Sequence, residues 1–226
     1  MNERSVTIAG LRTIVVEPEA AVRLDVVVLH GYAMVPENLS PFAHSLGIPA
    51  RFLLPEGPRA ATPAGRAWWD MDAESRDLTK GPRDLGTRHF PGAAPARRAL
   101  LEFLAEARAV EAGRRMALVG FSQGGMLACD TLLRERPDVA ALALLSSSRV
   151  AVDEWTPLVS RLRGLPVLVA HGERDPDLAF AAGEALRDLL LSGGAEVTWV
   201  PFAQGHEIPL VVWRRLRKFL EARSAP

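Results

Sequence analysis

Short apolar runs bounded by turn residues recur along the chain. Leu24-Asp25-Val26-Val27-Val28-Leu29 and Met116-Ala117-Leu118-Val119 are nearly continuous in apolar side chains and too brief for helices. They read as strands buried on both faces of a parallel sheet. Arg51–Leu54, Val139–Leu145, Val167–Ala170 and Glu196–Phe202 read as further strands, and Ser5–Val16 as one more before a turn at Glu17-Pro18-Glu19. Between them the period changes to that of helices. Ala96–Ala112 carries Leu100, Leu101, Leu104, Ala107 and Val110 on one stripe and is followed by Gly113. The segment after Gly125 sets Met126, Leu127, Thr131 and Leu132 at helical spacing. Pro36–Leu46, Trp155–Arg163, Leu178–Leu191 and Pro209–Ala222 are the other predicted helices. After the first hairpin-like pair, strand and helix alternate, which predicts a mostly parallel central sheet covered on both sides.

One stretch breaks the period. From Pro55 to about Pro95 the chain is rich in Gly, Pro, Arg and Asp, and a loop of that length inside a compact unit is functional or disordered. Trp68-Trp69-Asp70-Met71 argues against disorder, because adjacent tryptophans need something to pack on. Two roles stay open for them: lining a pocket mouth, or pinning the loop.

Composition narrows the classes. The 226 residues are long enough for one domain with a large core, 48% are hydrophobic and 24% charged, and the formal net charge is zero. No field of one sign recruits nucleic acid or an anionic membrane. The cluster Arg214, Arg215, Arg217 and Lys218 alternates with apolar residues as the wet face of a C-terminal helix would. No run approaches the roughly 20 apolar residues of a membrane span, and the first ten residues lack a signal-peptide core. Cys129, the only cysteine, cannot form an intrachain disulfide and falls where a small buried side chain is expected. A cytoplasmic location is the resulting expectation.

The candidate chemistry sits where a strand meets a helix. Gly120-Phe121-Ser122-Gln123-Gly124 matches G-x-S-x-G at such a turn, the setting of a nucleophile elbow. A shuffled chain of this composition would carry about 0.07 copies of the pattern, so context must support it. In this architecture reacting groups gather at the carboxyl ends of strands. The strand ending at Ala170 exits into His171-Gly172-Glu173-Arg174-Asp175-Pro176-Asp177, and the strand ending at Phe202 into Ala203-Gln204-Gly205-His206-Glu207. Serine, acid and histidine then follow in the order Ser122, Asp175, His206. A hydroxyl needs a base, imidazole can serve near pH 7, and a carboxylate orients the imidazole. Glu173 and Asp177 are the rivals for the acid. His44 and His89 suit solvated positions, and His30 and His171 suit packing or hydrogen bonding in turns. Backbone donors for an oxyanion would be the amides of Gln123 and Tyr32, with Ala33 as the alternative to Tyr32.

With these residues assembled, the chain resembles the phospholipase/carboxylesterase family of α/β-hydrolases, which includes acyl-protein thioesterases. The resemblance is carried by His30-Gly31, Leu54-Pro55 with Gly57-Pro58, Trp68-Trp69-Asp70-Met71, Gly120-Phe121-Ser122-Gln123-Gly124-Gly125, His171-Gly172 with Asp175-Pro176, and Gly205-His206. It implies a single α/β-hydrolase domain over residues 1–226 and hydrolysis of carboxylic esters or thioesters of small to medium acyl groups. It also implies a Ser122, Asp175, His206 triad with no metal and no cofactor, and a substrate-binding role for Trp68, Trp69 and Met71. The partners expected are a small-molecule ester or thioester and, as an open option, a second copy of the chain; no nucleic acid and no membrane span are expected. Two departures stand out. Tyr32-Ala33-Met34-Val35 replaces the glycine and acidic residue that many relatives place after His-Gly, and the segment between Trp69 and Pro95 is long and charged. A peptidase on the same triad, or a binding protein on the same scaffold with little turnover, stays open at this level.

Overall fold

A computed structural model of the chain describes residues 1–110 and 113–224. Eight strands form one sheet in the order β1-β2-β4-β3-β7-β8-β9-β10. They are β1 (Asn2–Ile8), β2 (Leu11–Glu17), β3 (Leu24–Leu29), β4 (Ala50–Pro55), β7 (Arg115–Phe121), β8 (Ala141–Leu145), β9 (Pro166–Gly172) and β10 (Glu196–Phe202). The six strands from β4 to β10 in that order run parallel, while β1 and β2 are antiparallel at one edge. Two short strands, β5 (Arg59–Ala60) and β6 (Arg66–Ala67), pair separately.

The parallel strands read as unbroken apolar runs because both faces are covered, and alternate residues feed two cores. Val27, Leu29, Leu118, Leu142, Leu144, Val167 and Val169 face one core. Val26, Ala117, Val119, Ala143, Leu145, Leu168 and Ala170 face the other. The first core is closed by α3 (Ala93–Val110), α4 (Gln123–Glu135) and α6 (Phe180–Ser192), through Leu100, Phe103, Leu127, Leu132, Leu186 and Leu190. The second is closed by α1 (Ser40–Leu46) and α7 (Leu210–Ser224), through Ala43, Leu46, Leu216 and Leu220. Deep in the sheet the Asp25 carboxylate accepts two bonds from Arg51, Nε to Oδ1 at 2.9 Å and Nη2 to Oδ2 at 2.7 Å, so the buried charge is paired.

Several boundaries differ from expectation. Ser5–Val16 is a hairpin, not one strand: Ala9 and Gly10 both have positive φ (46° and 76°), which turns the chain in two residues so that Ile8 pairs with Leu11. The helix expected after Gly125 begins at Gln123, directly after Ser122. Pro36–Leu46 divides into a 3-10 turn at Pro36–Asn38 and α1, and Trp155–Arg163 into α5 (Val152–Trp155) and a 3-10 helix at Thr156–Leu162. The last two positions of the helix expected over 96–112 lie outside the described residues. The segment 55–95 is ordered by its own core residues. Besides β5 and β6 it holds α2 (Ala73–Arg76), and it buries Trp68, Trp69, Met71, Leu85 and Phe90 in the first core.

Candidate active site

Register aligns the carboxyl ends of the central strands: Phe121 pairs with Leu145, Leu145 with Ala170, and Phe202 with Gly172. The loops leaving them therefore meet over one rim. Ser122 sits between β7 and α4 with φ 51° and ψ −117°, outside the regions an L-residue ordinarily populates. Holding it there costs on the order of 1–3 kcal/mol, supplied by the packing around it. Two glycines permit that packing. A Cβ on Gly120 would lie 2.4 Å from the Gly125 amide nitrogen, and one on Gly124 would lie 2.3 Å from the Leu29 carbonyl oxygen. Two bonds fasten the turn: the Ser122 amide donates to the Leu145 carbonyl at 2.9 Å, and the Ser147 hydroxyl donates to the Ser122 carbonyl at 3.0 Å. Nothing in the sequence singles out Ser147, one of three consecutive serines after β8, for this role.

Asp175 and His206 come from the next two exits. The Asp175 side chain is fully buried; its Oδ1 accepts the backbone N–H groups of Asp177 (2.8 Å) and Leu178 (2.9 Å), and its Oδ2 accepts His206 Nδ1–H at 2.7 Å. That bond fixes the tautomer and leaves Nε2 as the free, basic nitrogen. The two loops are laced together, with Glu173 N–H on the Phe202 carbonyl (2.7 Å) and Arg174 N–H on the Gln204 carbonyl (3.1 Å). A Cβ on Gly172 would lie 2.3 Å from the Gly205 carbonyl oxygen, so only glycine admits this approach. The Phe121 ring supports the imidazole at a centroid distance of 5.0 Å. Asp177, a rival for the acid in the sequence, faces the other nitrogen: its Oδ2 is 3.6 Å from His206 Nε2.

Ser122 and His206 line one cavity of about 290 Å³ with Gly31, Tyr32, Met34, Met71, Arg76, Arg83, Leu85, Phe121, Gln123, Met126, Asp177 and Leu178. A larger and shallower depression of about 680 Å³ lies at the amino ends of β8 and β9, between Asp138 and Arg163, and holds none of these residues. Tyr32 is on the wall of the smaller cavity, whereas Ala33 is exposed and is not. The first N–H groups of α4, Gln123 among them, have no partner within the helix.

The tryptophans correct one expectation. Trp68 and Trp69 are buried behind the wall and do not line the cavity; of the three residues expected at the substrate, only Met71 does. They pin the loop instead. Trp68 Nε1–H donates to the His30 carbonyl (2.9 Å), Trp68 N–H donates to Gln123 Oε1 (3.0 Å), and Gln123 Nε2–H donates to the Trp69 carbonyl (2.9 Å). Arg83 ties the same loop to the acid turn by an ion pair with Asp177 and a bond from its Nε–H to the Asp177 carbonyl at 3.2 Å.

The remaining histidines serve the frame. His30 is fully buried; its Nε2 accepts the Gly57 N–H at 2.9 Å and its Nδ1–H donates to the Gly31 carbonyl at 2.8 Å. Burial pushes its pKa down to about 4, with the Gly31 bond opposing. His171 donates Nε2–H to the Leu178 carbonyl at 3.0 Å and is likewise held below the usual imidazole range by burial. His44 pairs with Glu3, and His89 with Asp153 and Glu154, on the exposed surface. Burial pushes the Cys129 thiol up, away from reactivity.

This arrangement defines a hydrolase-type site on an α/β scaffold. The sequence pattern of the phospholipase/carboxylesterase family matches residues 12–224, and the chain belongs to that family of hydrolase enzymes. Acyl-protein thioesterase 1 of Neurospora crassa is 29% identical over 113 residues, 48% of this chain and 46% of that protein, so the match spans about half the length of that relative. Among solved structures, a carboxylesterase from Mesorhizobium loti superposes with a TM-score of 0.79 at 22% identity, covering 97% of this chain and 99% of that one. Esterase PE8 superposes at 0.80 with 25% identity, covering 94% and 98%. The fold is that of the α/β-hydrolases. No helix among the described residues is long and apolar enough to cross a membrane.

Proposed function

We propose that the protein is a serine hydrolase that cleaves carboxylic esters or thioesters of small to medium acyl groups through an acyl-enzyme. The carrying observation is the 2.7 Å bond from His206 Nδ1 to Asp175 Oδ2, in a site where His206 and Ser122 line one cavity. His206 Nε2 takes the Ser122 Oγ proton as Oγ attacks the acyl carbon. The oxyanion of the tetrahedral intermediate is received by the N–H groups of Gln123 and Tyr32. As the intermediate collapses, the imidazolium returns its proton to the departing alkoxide or thiolate. Water then enters, gives its proton to His206 and attacks the acyl-enzyme, and Ser122 is regenerated with release of the acid. Asp175 keeps the imidazole oriented and balances its charge in both halves. Every step is carried by side chains and backbone of this chain. With its single cysteine buried, the enzyme suits a reducing compartment, and we place it in the cytoplasm.

The test combines a serine-directed fluorophosphonate probe with p-nitrophenyl esters and acyl thioesters of increasing chain length. Labelling and turnover in the native enzyme, both lost in Ser122→Ala, are expected. Labelling that survives Ser122→Ala, or labelling with no turnover of any ester, would refute the reading.

A further inference from the structure

We propose that the ester or thioester cleaved at this site carries a carboxylate and that Arg76 selects it; the proposal rests on the hydrolase reading above. Besides the Tyr32 phenol, four side chains on the cavity wall are charged or titratable: Arg76, Arg83, Asp177 and His206. Three of them are engaged. Arg83 is paired with Asp177 and donates to the Ser75 carbonyl, and His206 spends Nδ1–H on Asp175. Arg76 is different: among the described residues it has no hydrogen-bond partner and no carboxylate within 4.0 Å. The rim of the cavity thus carries one exposed cation that no side chain among the described residues pairs, beside apolar Met71, Leu85, Phe121 and Met126.

The segment that presents Arg76 is held in place. Asp72 Oδ1 accepts the Ser75 N–H at 2.6 Å, Arg88 Nε–H donates to Ser75 Oγ at 3.1 Å, and Arg83 reaches the Ser75 carbonyl. The residue before Arg76 is therefore fixed through backbone and side chain, and the exposed Arg76 side chain springs from an anchored point on the rim. A guanidinium fork matches a carboxylate in a bidentate pair. Charge decides between anions. A carboxylate closes the balance with one guanidinium, whereas a phosphate monoester, at roughly −1.5 to −2 near pH 7, leaves negative charge beside Asp177.

The carboxylate can belong to the acyl part or to the leaving part, and two matched substrate pairs distinguish these. The first pair is p-nitrophenyl valerate and mono-p-nitrophenyl glutarate, alike in chain length. The second is the butyryl thioesters of propanethiol and 3-mercaptopropionate. The readout is the ratio of kcat/KM, charged over neutral, within each pair, so that general damage to a variant cancels. In the native enzyme one pair is expected to favour the carboxylate by about tenfold. Arg76→Gln should bring that ratio to within about twofold of one, Arg76→Glu below one, and Arg76→Lys should keep part of it. No preference in either pair, a preference that survives Arg76→Gln, or a larger preference for S-butyryl-2-thioethyl phosphate would overturn the proposal. If no ester is turned over at all, the hydrolase reading fails, and calorimetry with monopropyl glutarate decides this one separately. Binding that Arg76→Gln abolishes supports a carboxylate site, and no binding sinks it.

Discussion

Gln123 carries two duties that one substitution separates. Its backbone N–H stands at the start of α4 beside Ser122, while its buried side chain holds the Trp68 N–H at 3.0 Å and the Trp69 carbonyl at 2.9 Å. Gln123→Met keeps the length and bulk of the side chain and the backbone amide but removes both partners. Two buried backbone groups are then left unpaired, each costing about 1–3 kcal/mol, and the apolar gain from methionine returns about 1 kcal/mol. The expected loss is about 1–5 kcal/mol of folding stability, set against the roughly 5–15 kcal/mol typical of a domain. Urea denaturation followed by tryptophan fluorescence measures it. Because Met71, Arg76 and Leu85 follow Trp69 on the cavity wall, KM for ester hydrolysis should rise. With the proposed oxyanion donor, the Gln123 N–H, retained, kcat should stay within about tenfold. A midpoint shift worth less than about 0.5 kcal/mol together with an unchanged KM would refute the view that this side chain anchors the loop.

Three further outcomes follow from the geometry. Ser122→Ala should lower kcat by about four powers of ten or more without changing the circular dichroism melt, and a variant with near-native turnover would identify another nucleophile. Gly172→Ala places a methyl group 2.3 Å from the Gly205 carbonyl oxygen, so the His206 loop must retreat and kcat/KM should fall at least about a hundredfold, as steady-state kinetics will show. His30 is held at about 4 in the folded state against 6.5 for the free side chain, so the unfolded chain binds the extra proton between those values. Stability attributable to His30 is complete above pH 6.5 and lost as pH falls towards 4, on the order of 3 kcal/mol in total. Denaturation midpoints measured across that window in native protein and His30→Gln should show a flatter profile in the variant.

What the chain discloses before folding depends on how local the cause is. The buried strands were readable because a parallel strand covered on both faces must be apolar along its whole length, as β3 and β7 are. Ser122, Asp175 and His206 are legible because each follows the carboxyl end of a strand, in the chain order serine, acid, histidine, and the clashes a Cβ would make at Gly120, Gly124 and Gly172 give the reason for the glycines around them. The hairpin at Ala9-Gly10 is not legible in the sequence because the strand pattern continues through it and alanine rarely takes a positive φ. The tryptophans could not be placed from sequence. Whether they line or pin depends on a glutamine 54 and 55 residues away, and no periodicity encodes such a contact. The sequence offers Asp177 only as a rival acid, and its pairing with Arg83 is illegible for the same reason, since it joins positions 94 apart.

The long segment after Trp69 is more than a cover over the cavity. Arg83 N–H donates to the Asp177 carbonyl and Ala179 N–H to the Arg83 carbonyl, both at 2.9 Å, so the segment continues the acid turn as a short parallel bridge. The Asp177 N–H in turn donates to Asp175 Oδ1, the carboxylate that seats His206. Order in the cavity wall and order in the imidazole's support are therefore one hydrogen-bonded unit. A change that frees the segment loosens the His206 imidazole as well as the pocket, so activity in this architecture should respond to substitutions far from Ser122 when they fall on that chain of bonds.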